Sequence, residues 1–222
     1  IQVHPSDDFP GLPSGERGKT EMWVVLEAEP GARIVHGLAE GVTRDGLAAA
    51  VREGRTVEAM RFLPVRPGDV YYLPAGLVHA LGAGLMVAEI QQSSDTTYRL
   101  YDYGRLGLDG KPRELHIDQA LACCSDAPPP PPARLASPEP NRWETVVSSP
   151  YFVTAHGRCQ GEWLQETDPG TFEALMILSG EGAIAWPGGE ETLAPGQAWL
   201  VPASLGPYRL RGRFEALRVR VP

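Results

Sequence analysis

Residues 65–76 read VRPGDVYYLPAG, and residues 193–204 read LAPGQAWLVPAS. The two stretches align without a gap, and each follows one plan: a Pro-Gly turn, a run of strand character, then a second turn opened by proline. Upstream, Thr20-Glu21-Met22-Trp23-Val24-Val25-Leu26 matches Phe172-Glu173-Ala174-Leu175-Met176-Ile177-Leu178. A repeat of this kind signals a duplicated β-unit, so the chain is expected to be all-β in two related halves. Extending the register sets Pro207 opposite His79.

Between these landmarks, short β-like runs recur at Met22 to Leu26, Arg33 to His36, Val70 to Leu73 and Leu85 to Gln91, with turns at 29–31 and 66–69 between them. One helical insertion is predicted at about 43–60, with Thr43 as N-cap and Leu47, Val51 and Met60 on a shared apolar face. A second short helix is expected at 118–124. Pro128 to Pro132 form an unbroken proline run, an extended and stiff spacer that marks the boundary between the halves. The helical insertion has no counterpart in the second half, which accounts for its shorter span.

Gln2, His4, Glu21 and His79 stand out as a mixed nitrogen and oxygen donor set that suits a divalent ion such as zinc. Gln2 and His4 lie two apart, so on a strand they point to the same face, while Glu21 and His79 can arrive from neighbouring strands. The second half has Thr154, His156, Glu173 and Pro207 at the corresponding places and lacks a decisive ligand. His156 is therefore read as a non-ligand, as are His36 and His116, and Glu173 as a relic or a solvated residue. Trp23, Tyr71, Tyr72, Trp186 and Trp199 read as barrel core or rim.

Bulk properties narrow the function classes. The chain has 222 residues and a formal net charge of -8, with no basic run, which argues against nucleic acid and anionic membrane surfaces as partners. Its 25 glycines and 22 prolines fit many short strands joined by tight turns. Three cysteines, two of them adjacent, make no disulfide framework, so a reducing, cytoplasmic setting is expected. The longest apolar stretch, Val70 to Ile90, is broken by Pro74, Gly76 and His79 and is no membrane span. The sequence opens at Ile1, inside a ligand-bearing strand, and an upstream segment is expected to precede it.

The stretch Gly68 to His79 has the spacing Gly, five residues, Pro, one residue, Gly, two residues, His. It resembles the second motif of the cupin superfamily of small β-barrels, with Gly82 at the place of that motif's terminal Asn. Together with Gln2-x-His4, Gly18-Lys19-Thr20-Glu21-Met22-Trp23 and Gln91-Gln92-Ser93-Ser94-Asp95-Thr96-Thr97-Tyr98-Arg99, it makes the chain similar to the type I mannose-6-phosphate isomerases, closest to the short bacterial members. The resemblance implies a double cupin: a metal-binding catalytic domain at 1–127, a proline-rich linker at 128–140 and a degenerate, metal-free domain at 141–222. It also implies one zinc per chain at Gln2, His4, Glu21 and His79, and interconversion of mannose 6-phosphate and fructose 6-phosphate through an enediol or enediolate. Some relatives have a histidine where Gly18 stands here, and relatives carry a segment ahead of the Gln-x-His strand that supplies part of the site.

Lys19 lies two residues before Glu21, so on a continuing strand it faces the same cavity and can neutralise an oxyanion, bind phosphate or exchange a proton. Arg99 has a planar fork suited to phosphate or to enediolate oxygens. Asp95 and Glu89 are candidate acids or bases, ranked below Arg99 and Lys19. The expected partner is a small phosphosugar, and the expected state is a monomer or weak homo-oligomer. Two rival readings share these residues: another metal-dependent cupin enzyme, such as an iron dioxygenase, and a non-catalytic sugar-binding or regulatory cupin.

Overall fold

The Pro-Gly turn at Arg66–Asp69 folds as its sequence directs. The Asp69 N–H donates to the Arg66 carbonyl at 3.1 Å, and Gly68 takes φ 87°, a left-handed value that a type II turn requires at its third residue. In the second half the Gln197 N–H donates to Ala194 at 3.2 Å, and Gly196 takes φ 82°. Each glycine N–H then reaches a neighbouring strand, Gly68 to Val25 at 2.8 Å and Gly196 to Ile177 at 2.9 Å. The structure, a computed structural model, describes residues 1–222 and divides into two compact units, Ile1–Arg134 and Leu135–Pro222.

Unit 1 contains β1 (Gln2–Val3), β2 (Glu21–Ala28), β3 (Arg33–Leu38), β4 (Met60–Pro64), β5 (Asp69–Leu73), β6 (His79–Leu81), β7 (Leu85–Gln91), β8 (Tyr98–Arg99) and β9 (Ala133–Arg134). They form two antiparallel sheets, ordered β4-β3-β6-β1-β8 and β7-β2-β5-β9. Between the sheets, Trp23, Val25, Tyr71 and Leu73 of one meet Ile34 of the other. Each of these side chains contributes about 2 kcal/mol by leaving water. Because strand side chains alternate, Val35 next to Ile34 points the other way. It joins Val3, Val78 and Tyr98 in a second core that is closed by Leu47 and Ala50 of α1 (Arg44–Arg52) and Ala120 of α2 (Ile117–Cys123). The inserted helix begins where expected, with the Thr43 hydroxyl accepting from the Gly46 N–H at 3.2 Å, Asp45 in its first turn and Arg52 in its last, both favourable to the helix dipole. Met60 starts β4 rather than ending the helix, yet reaches the same core.

The proline run lies along unit 1. The Pro129 ring packs against Gly37, where a Cβ would lie 3.1 Å from it, and Ala133–Arg134 continue as an edge strand on β5, with Arg134 bonded to Asp69 at 2.8 Å.

Unit 2 is one antiparallel sheet of β10 (Trp143–Ser148), β11 (Val153–Glu166), β12 (Glu173–Trp186), β13 (Gly189–Leu193), β14 (Ala198–Val201) and β15 (Pro207–Arg220). Its three central strands each run 14 residues, and Gly161, Gly212 and Gly182 form a row across them. A Cβ on Gly182 would lie 2.2 Å from the Arg211 carbonyl oxygen, so only glycine permits so close an approach of backbones. The core gathers Leu175, Ile177, Ile184, Leu210 and Phe214.

The repeat read from the sequence is present in the strand register. Glu21 pairs with Leu73 as Glu173 pairs with Val201, and Trp23 with Tyr71 as Leu175 with Trp199. The bulge between Val25 and Glu27 recurs between Ile177 and Ser179. The fold is all-β and cupin-type, with a small helical insertion. No helix is long and apolar enough to cross a membrane.

Candidate active site and metal centre

Alternation places the candidate ligands. Val3 and Val78 belong to the helix-side core, so Gln2, His4 and His79 point between the sheets. Trp23 and Val25 face inward on β2, so Glu21 does too. Gln2 and His79 are direct partners across β1 and β6, and the four side chains meet. His4 Nε2 lies 3.3 Å from Glu21 Oε1, His79 Nε2 lies 3.3 Å from Glu21 Oε2, and the Gln2 amide nitrogen is 3.5 Å and 3.3 Å from the two imidazoles. The donor atoms of His4, Glu21 and His79 all fall within 4.8 Å of one another, and each residue is 1% exposed.

The donor chemistry fits a cation. His4 Nδ1 lies 2.9 Å from the Thr96 carbonyl and His79 Nδ1 lies 2.8 Å from the Leu77 carbonyl. Nδ1–H donating to those carbonyls leaves each Nε2 as a lone pair aimed at Glu21, the arrangement that orients histidine toward a metal. Burial drives His4 below the usual imidazole range and keeps the ring neutral. Both Glu21 oxygens are buried and make no aligned hydrogen bond; Lys19 is a positive neighbour on the Oε1 side, and Oε2 faces the bare Nε2 of His79, a polar environment that a bound cation would complete. Turning the Gln2 amide over would add Oε1 to the set.

Lys19 Nζ lies 3.2 Å from Glu21 Oε1, with the side chain 12% exposed. Lys19 lies ahead of β2 rather than on a continuing strand, in a segment clamped by Asp7 and Gln92. The Gly18 N–H donates to Asp7 at 2.7 Å, the Thr20 N–H to Gln92 Oε1 at 2.8 Å, and the Gln92 amide to Asp7 at 3.3 Å. Gly18 itself fills a slot with no spare room, since a Cβ there would meet the Asp7 nitrogen at 2.5 Å. Gly82 is equally confined by the Arg33 carbonyl, so neither the histidine nor the asparagine of the related motifs fits this backbone.

A cavity of about 730 Å³ lies beside the cluster, with Gln2, Trp23, Glu89 and Arg99 in its wall. Arg99 pairs with Gln2 across β8 and β1, and one of its guanidinium nitrogens is tied to the Glu114 carbonyl at 2.9 Å. Glu89 accepts from the Trp23 indole at 2.7 Å. Asp95 is exposed and lines a separate cleft with Glu16 and Arg17, so the structure does not bring it to the cavity. Glu173 is not solvated: it is 1% exposed, because Tyr208 donates to it at 2.7 Å and Arg218 lies 3.4 Å away. His156 is engaged with Glu215 at 3.2 Å. Burial lifts the thiols of Cys123, Cys124 and Cys159 to about 12, 11 and 11, which removes them as nucleophiles at neutral pH.

Sequence reasoning missed Asp7, Gln92 and a trio of Asp102, Arg105 and Arg113 in the cavity wall. Asp102 and Arg105 follow Arg99 at intervals of three, but only the fold brings Arg113 to them.

Two imidazoles, a carboxylate and an amide converging inside a β-sandwich define a cupin with a candidate metal centre. No protein-family model matches the chain. It is 33% identical over 221 residues to mannose-6-phosphate isomerase ManA of Bacillus subtilis, covering 98% of this chain and 69% of that protein. It is 34% identical over 219 residues to the mannose-6-phosphate isomerase of Streptococcus mutans, covering 98% and 68%. The crystal structure of a mannose 6-phosphate isomerase from Bacillus subtilis superposes with a TM-score of 0.85 at 30% identity, over 99% of this chain and 70% of that one. The chain belongs to the mannose-6-phosphate isomerase family and is an enzyme of that family.

Proposed function

We propose that the chain interconverts mannose 6-phosphate and fructose 6-phosphate, with one zinc ion held by Gln2, His4, Glu21 and His79. The observation that carries this reading is the convergence of His4, Glu21 and His79 around one point, with buried carboxylate oxygens that make no aligned hydrogen bond, beside an arginine-lined cavity. The donor set of nitrogen and oxygen atoms suits zinc. A bound divalent ion supplies Lewis-acid charge to the oxygens of the sugar.

The reaction moves a proton between C2 and C1 through an enediol or enediolate, and negative charge develops on both oxygens as the proton leaves. Arg99 presents a fixed cation to that charge from the cavity wall, and Lys19 adds a second beside Glu21. Glu89, held by the Trp23 indole, is the carboxylate placed to exchange a proton with a sugar hydroxyl. Asp95 takes no part in this scheme, because it lies off the cavity.

The experiment is coupled conversion of mannose 6-phosphate to fructose 6-phosphate before and after chelation, with zinc added back. Activity lost to chelator and restored by zinc is the expected result. Absence of turnover in the zinc-loaded protein would overturn the reading.

A further inference from the structure

The cavity beside the metal cluster has an unusual charge balance for a chain with a net charge of -8: four arginines against two carboxylates line it. Arg33 is stacked over the Phe62 ring, 4.3 Å from its centroid. Arg105 and Arg113 both converge on Asp102, which is only 7% exposed. Arg113 grips it through a two-pronged contact, Nε to Oδ2 at 2.6 Å and Nη2 to Oδ1, while Arg105 places Nε and Nη2 each 3.3 Å from Oδ1. The guanidinium neighbours hold the Asp102 carboxyl down at about 2, Arg113 more strongly than Arg105 and against the effect of burial.

One carboxylate cannot neutralise two guanidinium groups. A full positive charge is left over, and the Nη1 group of each arginine has no acceptor. The backbone is bent to produce this pairing. Tyr103 and Gly104 take φ 53° and 69°, and the Arg105 N–H closes a tight turn onto Asp102 at 3.0 Å. A tyrosine in the left-handed region is strained. A short ribbon, bridged at Leu106 and Pro112, then returns Arg113 to the same carboxylate.

We propose that Arg105 and Arg113, oriented by Asp102, seat the phosphate of the sugar substrate, with Asp102 as the positioning residue. The assignment rests on the isomerase reading for the identity of the sugar, though not for the anion. A phosphate monoester carries about two negative charges at neutral pH and several strong acceptor oxygens, and planar guanidinium forks match it. Asp102 keeps the two forks from splaying into solvent while leaving their outer edges free.

The probes are inorganic phosphate and mannose 6-phosphate, applied to wild type, Arg105→Gln, Arg113→Gln and Asp102→Asn. Calorimetric titration is expected to show phosphate binding that weakens about tenfold in each arginine variant. In turnover, KM for mannose 6-phosphate rises about tenfold while kcat falls less than threefold, a split that a general loss of folding would not produce. Arg105 is well exposed, so its replacement tests the seat without disturbing the core. Wild-type phosphate affinity and KM in both arginine variants would overturn the proposal. Phosphate binding that is lost in the variants, in a protein with no turnover, would support the anion seat and sink the isomerase reading instead. Turnover with phosphate binding unmoved in the variants would do the reverse.

Discussion

Arg218 Nη1 stands 3.4 Å from Glu173 Oε1, at the strand position that Glu89 occupies beside Glu21 in the other unit. Arg220, 4.0 Å from the same oxygen, likewise takes the place of Gln91. Where unit 1 surrounds its buried glutamate with imidazoles and an amide, unit 2 answers the matching carboxylate with guanidinium groups and the Tyr208 hydroxyl. Arg218→Met would leave Glu173 with Tyr208 and the more distant Arg220. Breaking a buried pair from one side costs about 3 kcal/mol, so urea denaturation should show a loss near that size. The double variant with Glu173→Gln should recover much of it. Equal midpoints for wild type and Arg218→Met would show that the pair contributes nothing.

Glu21→Gln keeps the shape of the cluster and removes its charge. Metal analysis of the purified variant should fall from about one ion per chain to a small fraction, with kcat/KM down by at least about a hundredfold, the scale seen when metal-site geometry is disturbed. Retention of a full equivalent of metal would show that the ion sits elsewhere.

Lys19→Met separates metal holding from chemistry. The ligand set is untouched, so metal content should stay near wild type while kcat drops by about 10²–10³-fold, the range for removing a fixed charge or proton carrier at a reacting centre. A kcat within a factor of two of wild type would assign Lys19 to holding Glu21 alone.

Acid should weaken the protein through Asp102. Its carboxyl titrates at about 2 in the folded chain and near 3.9 when unfolded. Between these values the unfolded chain binds the extra proton, so stability is fully present above about pH 4 and falls as pH drops toward 2. The partners are a half-exposed and an exposed arginine, and solvent screening reduces the effect to about 1 kcal/mol. Comparing denaturant midpoints of wild type and Asp102→Asn over this range should show a flatter profile in the variant. Parallel profiles would exclude a role for this carboxyl.

The fold was legible because its signals are local. Pro67-Gly68 and Pro195-Gly196 each dictate a type II turn, and strand alternation then decides which residues face inward. The donor set was legible for the same reason: Gln2 and His4 share a face by spacing alone. The Asp102 trio escaped notice because it depends on a strained turn at Tyr103 and a ribbon that brings Arg113 back, neither of which has a periodic signature. The solvated reading of Glu173 failed because its partners Arg218 and Arg220 come from β15, far along the chain. Charge on one strand says little until the register across the sheet is known.

The Val25 and Ile177 bulges show that the two units share one strand register around the inner glutamate while differing in what surrounds it. A tandem of this sort can change its chemistry through a handful of point substitutions on neighbouring strands, with no loop rebuilt and no strand re-registered.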